Sequence, residues 1–573
     1  MLGPGPHSYN YPGETRRMGQ TEQDADQMLT GAELIARKLR DCGVRHAFGI
    51  ISIHNMPIID AINRLGFTQM IDSRHECAAA HAADGYARAT GELGVAIAST
   101  GPGTTNTVTG LYEAAYANSR LLVITGQAET RFYGKGMGYV HEAEKQLPML
   151  ATVARRVESP RTVEQIGPLF DAVVNDMSSG RWQPGAIEIP IDLQYAKVVQ
   201  SAAAAVVLTP AKPATQNDQI DRAAELIKGA SRRVLLVGGG AMAAGKEVLA
   251  LAESLSVPIL TTPNGRGVVP ESHELCLGNL YQTPDMAQAL SNADLTIAVG
   301  TRFQAGVDGR NAVYGPVGKL VHIDIDNRVL GLIHKADVEV FGDASDALSL
   351  LKTAVADADS NPNDGQFNAG VMQAGDALRE RLRERLGPDF RGICESISNA
   401  MDEDTVLVRD NTVVAYFMAN QLIPVRAARC SINPVSGAIG PGLPLGIGAA
   451  TGTDKRALII HGDGGFMFHA TELATAAQHQ LPITVCIFND GGYGILRALQ
   501  RGRFDGRINE TDLGFMDFTA MAESMGCKGE RVESVAALET ALSAAAKQQG
   551  PYVIDIDVRS MTLIGGMQLP DQV

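Results

Sequence analysis

An α/β protein of three domains, each a mainly parallel sheet flanked by helices, is what the sequence leads us to expect. Short Val/Ile/Leu runs alternate with helix-patterned stretches along the whole chain, as β–α–β units do. Many of the 61 glycines fall just after those runs, where a chain leaving a strand must turn sharply. The 573 residues also exceed the roughly 250–300 that one hydrophobic core supports, so the chain must divide.

The first 27 residues are polar and rich in Gly, Pro and Gln, and read as a flexible arm. Residues 28–200 form the first expected domain. Thr30 with Glu33 has the spacing of a helix capping box, and "GAELIARKLRDCG" carries an apolar stripe at helical period. "VRHAFGI" reads as a strand and "MPIIDAINRLG" as a helix. "LGVAIASTGPG", "SRLLVITGQAE" and "PGAIEIPID" read as further strands, the last closing near Tyr195. An Ala/Pro-rich linker spans 201–218. The central domain, 219–354, holds strands in "RRVLLVGGG", "VPILTT", "ADLTIAVG" and "KLVHIDID". A second linker covers 355–370. The third domain, 371–560, contains "DTVLVRD", "RALIIHGDGG", "LPITVCIFND" and "PYVIDIDV", and 561–573 is a tail. No close repeat relates the three blocks, which leaves open whether the first and third share a fold.

Composition narrows the class. Apolar residues at 45% and charged residues at 20% suit a soluble globular protein. A formal charge of −15 without a long basic run argues against a nucleic-acid partner. It leaves room for an anionic cofactor, because amides at helix starts hold phosphates without basic side chains. The seven cysteines include no CxxC pair, so neither a disulfide scaffold nor a cysteine-rich zinc site is expected, and a reducing interior fits. The start lacks an apolar signal core and no apolar run is long enough to span a bilayer. The expectation is a cytoplasmic protein with no membrane partner.

Chemistry concentrates in "HGDGGFMFHATELATAAQHQLPITVCIFNDGGYG", residues 461–494. A strand-like run ends in Gly462–Asp463–Gly464–Gly465, a helix follows, and the next strand ends in Asn489–Asp490 with glycines after it. In a parallel sheet both turns leave on the same edge. Asp463 and Asp490 there supply hard oxygen ligands for a divalent cation, and the glycines let backbone approach a diphosphate. The plainer alternative is two ordinary surface turns.

In the first block, "RHECAAAHAADGYARATG" starts a helix at Glu76, where the helix dipole favours a carboxylate. The alanines after it permit close packing against a partner or a cofactor, and a buried carboxylate is costly unless paired or used. "STGPGTTN", residues 99–106, is either a helix entry capped by Thr104 or Thr105 or a wall that backs a ring or a phosphate.

Taken together, Glu76 in its alanine helix, "STGPGTTN", "GDGG" and "NDGGYG" at that spacing resemble the thiamine-diphosphate-dependent enzymes of the acetohydroxyacid synthase, pyruvate oxidase and benzoylformate decarboxylase type. The likeness runs from about residue 28 to 560. It implies thiamine-diphosphate-binding folds in the first and third domains and a dinucleotide-binding-like fold in the second. It implies thiamine diphosphate and Mg2+ as cofactors. It also implies a homodimer with active sites shared between chains, commonly doubled to a homotetramer.

Residue roles follow from the resemblance. Glu76 matches the glutamate that bonds the aminopyrimidine and drives its imino form, whose nitrogen takes the thiazolium C2 proton; an intramolecular base so held avoids a large entropic cost. Asp463 matches the first Mg2+ ligand, Asp490 the second, usually asparagine, and Gly492 the backbone-carbonyl ligand. Ile439, in "SGAIGPGLPLGIGAA", matches the bulky residue that bends the cofactor. Gly101, Asn106, Asn411, Thr412, Asn433, Ser436, Gly462, Gly464, Gly465, Tyr493 and Gly494 are the further cofactor-side positions.

The pattern also breaks. Where relatives often show "FGIPGG", this chain has "FGIISIHNMP", with Ser52, His54 and Asn55 in a bulkier loop. His54 offers an imidazole proton donor or simple packing. Gln127 sits where relatives place a substrate-side or cofactor-side glutamine. "GKGMGYVHEAEKQ" resembles decarboxylases of a guanidino-bearing 2-oxoacid, which makes His141 and Glu142 pocket candidates. The central block resembles the FAD-binding domain of the synthase branch, with Arg302 and Asp324 near the dinucleotide if FAD binds; several relatives keep the domain without flavin.

The function expected is a decarboxylating carboligase, a transferase or lyase resembling acetolactate synthase, that takes a small 2-oxoacid and forms a C–C bond through an enamine. The alternative is a non-ligating decarboxylase of a guanidino or other polar 2-oxoacid that releases an aldehyde.

Overall fold

The computed structural model describes residues 28–199, 212–304, 315–356 and 362–564. The expected N-terminal arm, most of the first linker and residues 565–573 of the tail lie outside them. Among the described residues no helix is long and apolar enough to cross a membrane.

Three six-stranded sheets form the frame, each parallel throughout. In the first domain the spatial order is Gln69–Asp72, His46–Gly49, Gly94–Ala98, Leu121–Gln127, Gly185–Pro190, Arg156–Glu158. In the third it is Ser431–Ile432, Val406–Arg409, Ala457–Gly462, Ile483–Asn489, Tyr552–Asp557, Lys528–Val532. Counted within each domain, both read 2-1-3-4-6-5. The two domains therefore share one topology, which the sequence had left open. The central sheet reads 3-2-1-4-5-6, the dinucleotide-binding order, from Cys276–Gly278 to Val338–Phe341.

Local chemistry explains the first elements. Thr30 and Glu33 form the reciprocal capping box that starts helix Gly31–Asp41. Met28–Thr30 pairs antiparallel with Lys197–Val199, so the domain's two ends are tied together. Two expectations are corrected. Thr104 and Thr105 do not cap the helix after "STGPG"; Gly101, at φ 58°, is its N-cap and Pro102 its first residue. Both threonines lie inside the helix, past its start, where their hydroxyls donate to the carbonyls of Ser99 and Pro102. Residues 362–370, read as linker, begin a helix from Pro362 to Ala400 that kinks at Gly387–Pro388.

The seam between the first and third domains places the site. Helix Glu76–Thr90 lies against helix Gly442–Thr453, and each connects the second and third strands of its own domain. The contact is therefore between equivalent helices. Their small residues let the backbones nearly touch: a Cβ at Gly448 would lie 1.8 Å from the Ala82 carbonyl oxygen, and one at Gly85 2.1 Å from that of Leu445. One apolar core runs through both domains, from Phe48 and Ala79 to Leu445 and Ile459. The central domain is pinned to the third by Arg266. Its guanidinium pairs with Glu271 through Nε and Nη2, both at 2.7 Å, and donates to the carbonyls of Ala419 and Ile423.

Candidate active site

The two acidic turns meet. Strands Ala457–Gly462 and Ile483–Asn489 are hydrogen-bonded neighbours, with His461 opposite Ile487 and Gly462 opposite Phe488. Asp463 and Asp490 are thus the first residues past two adjacent strand ends. Both are buried. Burial raises the Asp463 carboxyl to about 6, against the pull of the Gly464, Gly492 and Gly491 amides. Burial and then the charge of Asp463 raise Asp490 to about 8. Oδ1 of Asp490 has no hydrogen-bond partner; Nη2 of Arg497 lies 3.7 Å away. The turn is compact, since a Cβ at Gly494 would fall 1.9 Å from Oδ2 of Asp490. Two carboxylates forced together out of water, one oxygen unsatisfied, fit a hard divalent cation that would neutralise them.

The same sheet edge carries the neighbouring strand end at Asp410. Its buried carboxylate accepts from the amides of Asn411, Gly440 and Gly442, the last at 2.8 Å. Asn411 Nδ2 donates to the Ala438 carbonyl at 2.6 Å. Ile439 therefore stands half-buried on a turn pinned on both sides. The Thr412 hydroxyl oxygen sits 2.8 Å from where a Gly462 Cβ would be, and the Tyr493 ring lies over Gly464. Asn411, Thr412, Ile439, Gly462, Asp463, Gly464, Asp490, Gly492 and Tyr493 are brought together; Gly465 faces Asp410 and His461 on the same edge.

Ser436 turns toward the first domain instead, and Asn433 meets it through its backbone alone. The Ser436 hydroxyl donates to Glu113 at 2.5 Å, and Glu113 also receives the Val435 and Ser436 amides. The Asn433 carbonyl accepts from Arg88 and its Oδ1 from Arg409.

In the first domain Glu76 opens its helix behind His75, whose Nδ1 accepts the Cys77 amide. Asn106 Nδ2 donates to Glu76 Oε2 at 2.9 Å, and Gly103 leaves room for the carboxylate. The turn before Glu76 is bolted to the third domain: the Arg74 and His75 amides donate to Glu472 Oε1 at 2.9 and 3.1 Å.

Family models match three successive segments of the chain. Residues 29–149 match the thiamine pyrophosphate enzyme N-terminal TPP binding domain, 220–351 its central domain and 413–556 its C-terminal TPP binding domain. The chain belongs to the thiamine pyrophosphate enzymes, and within them to the acetolactate synthase type. A probable acetolactate synthase large subunit of Methanocaldococcus jannaschii is 31% identical over 548 residues, 92% of each chain. A probable 2-ketoarginine decarboxylase, AruI, of Pseudomonas aeruginosa is 31% identical over 538 residues, 92% of this chain and 94% of that one. The acetolactate synthase large subunit of Corynebacterium glutamicum is 31% identical over 556 residues, 93% and 87%.

For a thiamine pyrophosphate enzyme the remaining candidates divide clearly. Gln127 is held in a buried network: its Nε2 donates to Glu188, which also receives Gln146 Nε2 and the Tyr133 hydroxyl. Gln146 Oε1 in turn accepts the Gly101 amide and the Thr100 hydroxyl at 2.9 Å each. The network ties segment 128–146 to the "STGPG" turn. Ser52 shapes its loop, accepting the His54 amide on its hydroxyl. The His54 ring is fully buried with both nitrogens unpartnered, 5.3 Å from the exposed His141 ring. Burial, then His141, holds His54 below its usual range, so it is neutral at pH 7 and keeps one N–H. Glu142 accepts the Gly136 and Tyr139 amides. In the central domain Arg302 donates to the Tyr116 carbonyl, and Asp324, at a strand end, is pushed up to about 6 by burial. Asp410, Glu113, Glu472 and Glu188 carry no local signal in the sequence, because partners that hold them lie tens to hundreds of residues away.

Proposed function

We propose that this chain is a thiamine-diphosphate- and Mg2+-dependent decarboxylating carboligase acting on a small 2-oxoacid of the pyruvate type. The observation that carries the reading is the buried Asp463–Asp490 pair at adjacent strand ends. Asp463, Asp490 and the Gly492 carbonyl would hold Mg2+, with Asn411, Thr412 and the glycine turns around the diphosphate. When bound, thiamine diphosphate supplies the electron sink for loss of CO2. Ile439 supports the cofactor from its pinned turn. Glu76, oriented by Asn106, accepts and returns a proton at the pyrimidine. Two chains would face each other so that Glu76 of one serves the metal turn of the other, giving a homodimer or a homotetramer of cytoplasmic location. That C–C bond formation follows decarboxylation is supported by the acetolactate synthases among the relatives.

A second reading is favoured by the rebuilt loops. Ile51 and Ile53 stand exposed beside buried His54, whose ring meets Tyr139 and His141, and Glu129 and Glu142 both bond Tyr139. With Glu129 paired to Arg131, Glu142 is the carboxylate there that suits a cationic substrate tail, in keeping with the 2-ketoarginine decarboxylase relative. Protein supplied with thiamine diphosphate and Mg2+ is to be given pyruvate, or a guanidino 2-oxoacid, and the products separated. A hydroxy-oxo acid from pyruvate supports ligation, and an aldehyde from the guanidino acid supports the second reading. No turnover of any 2-oxoacid refutes both. Visible flavin absorption of the purified protein decides whether the central domain also holds FAD.

A further inference from the structure

Outside the metal turn, three side chains of the kinds that bind transition metals converge at the seam of the first and third domains. Cys77 and His81 lie four residues apart on helix Glu76–Thr90 and so share a face. His469 comes from the third domain, six residues after Asp463. One ligand atom from each lies within 4.8 Å of the others, and Cys77 Sγ is 3.8 Å from His469 Nε2. Zinc bonds of about 2.3 Å to sulfur and about 2.0–2.1 Å to nitrogen in a tetrahedron require ligand atoms roughly 3.5 Å apart. The Cys77–His469 pair is nearly there, and the remaining separations must close by up to about 1.3 Å. His81 is 1% exposed, and its Nδ1 has no hydrogen-bond partner. Sulfur and imidazole are softer donors than the oxygens of Asp463 and Asp490, so the two sites would select different ions.

We propose that Cys77, His81 and His469 form a site for one thiophilic divalent cation, Zn2+ being the type, which clasps the first domain to the third within a chain. Binding exchanges the Cys77 S–H proton for the metal and releases that proton to solvent; both imidazoles bind in their neutral form. Burial already keeps the two rings neutral, lowering His81 to about 4 and, with the neighbouring histidines, His469 to about 3. Water would take the fourth position. The clasp would fix the first turn of the Glu76 helix without using any group assigned to the Mg2+ turn.

The test uses the full chain in excess Mg2+, titrated with Co2+. The expected result is a thiolate-to-cobalt charge-transfer band that saturates at about one equivalent and is erased by Zn2+. Cys77→Ser should remove the band, and His469→Gln should weaken Co2+ roughly tenfold or more. Cys42→Ser, at a half-buried cysteine of another helix, should leave it unchanged. Alkylation of the wild-type protein serves if a variant fails to fold: Zn2+ should protect Cys77 and leave Cys42 reactive. Absence of the band in the wild type, its survival in folded Cys77→Ser, or alkylation of Cys77 indifferent to Zn2+ overturns the proposal.

Discussion

Gly448 of the third domain rests on the carbonyl of Ala82 of the first, with 1.8 Å between that oxygen and the place a Cβ would occupy. The Ala82 carbonyl carbon and the Tyr86 amide nitrogen are each only 2.7 Å from the same point, so the obstacles are backbone and cannot swing aside. Gly448→Ala should therefore destabilise the protein by about 1–3 kcal/mol or more despite the better helix propensity of alanine. Gly229→Ala, at a helix end with open space around it, should not. Thermal unfolding of the two variants checks this; equal midpoints would mean the seam is not packed as described.

Asp463 and Asp490 should respond differently to loss of charge. Asp490→Asn keeps an oxygen ligand and removes the like-charge repulsion, so it should retain Mg2+ and make the metal-free protein more stable. Asp463→Ala removes a ligand and should weaken Mg2+-dependent cofactor binding by roughly tenfold or more. Calorimetric titration with thiamine diphosphate at varied Mg2+ reads both, and an Asp463→Ala protein with wild-type Mg2+ dependence would contradict the metal turn.

Glu76→Gln should slow exchange of the bound cofactor's C2 proton about 10²–10⁴-fold while circular dichroism stays unchanged. Asn106→Ala, which frees the Glu76 carboxylate, should give a smaller loss in the same measurement. Exchange at the wild-type rate in Glu76→Gln would remove that residue from the chemistry.

Asp84 gives a pH dependence with a defined sign. It is buried on the Glu76 helix with neither carboxylate oxygen hydrogen-bonded, 3.6 Å from Arg88. Burial, with Glu113 adding and Arg88 opposing, raises its carboxyl to about 6. An unfolded aspartate titrates near 4, so between about pH 4 and 6 the folded state holds more protons than the unfolded. This group's contribution to stability therefore falls as pH rises through that window and stays low above it. Asp84→Asn should gain stability over the wild type at pH 8 but not at pH 4, by on the order of 1–3 kcal/mol. Denaturant midpoints at the two pH values measure it, and a gain independent of pH would show that Asp84 ionises freely.

What was legible in the sequence was short-range. Strand runs ending in glycine turns, the Thr30–Glu33 box and the alanine-rich Glu76 helix each announce themselves within a few residues, and parallel pairing then forces Asp463 and Asp490 onto one edge. What escaped is the polar scaffolding between distant segments. Glu113 reaches Ser436 across 323 residues and Asp410 reaches Gly442 across 32, and no local period records either bond. Ser436 and Asn433 sit near Ile439 in sequence, yet the Ser436 hydroxyl faces Glu113 of the first domain and the Asn433 side chain is taken up by Arg409. The Gly101–Pro102 start is hidden for a different reason: its N-cap is a glycine without a side chain to announce it, while two threonines just after it offer capping chemistry.

The packing of equivalent helices across the seam has an evolutionary corollary. Residue size at Gly448 is limited by the backbone of Ala82, and size at Gly85 by the backbone of Leu445, so each helix is the mould for the other. Neither half can drift at these points: the obstacle is main chain of the other helix, which no side-chain change removes, so both positions should stay glycine wherever the arrangement is inherited.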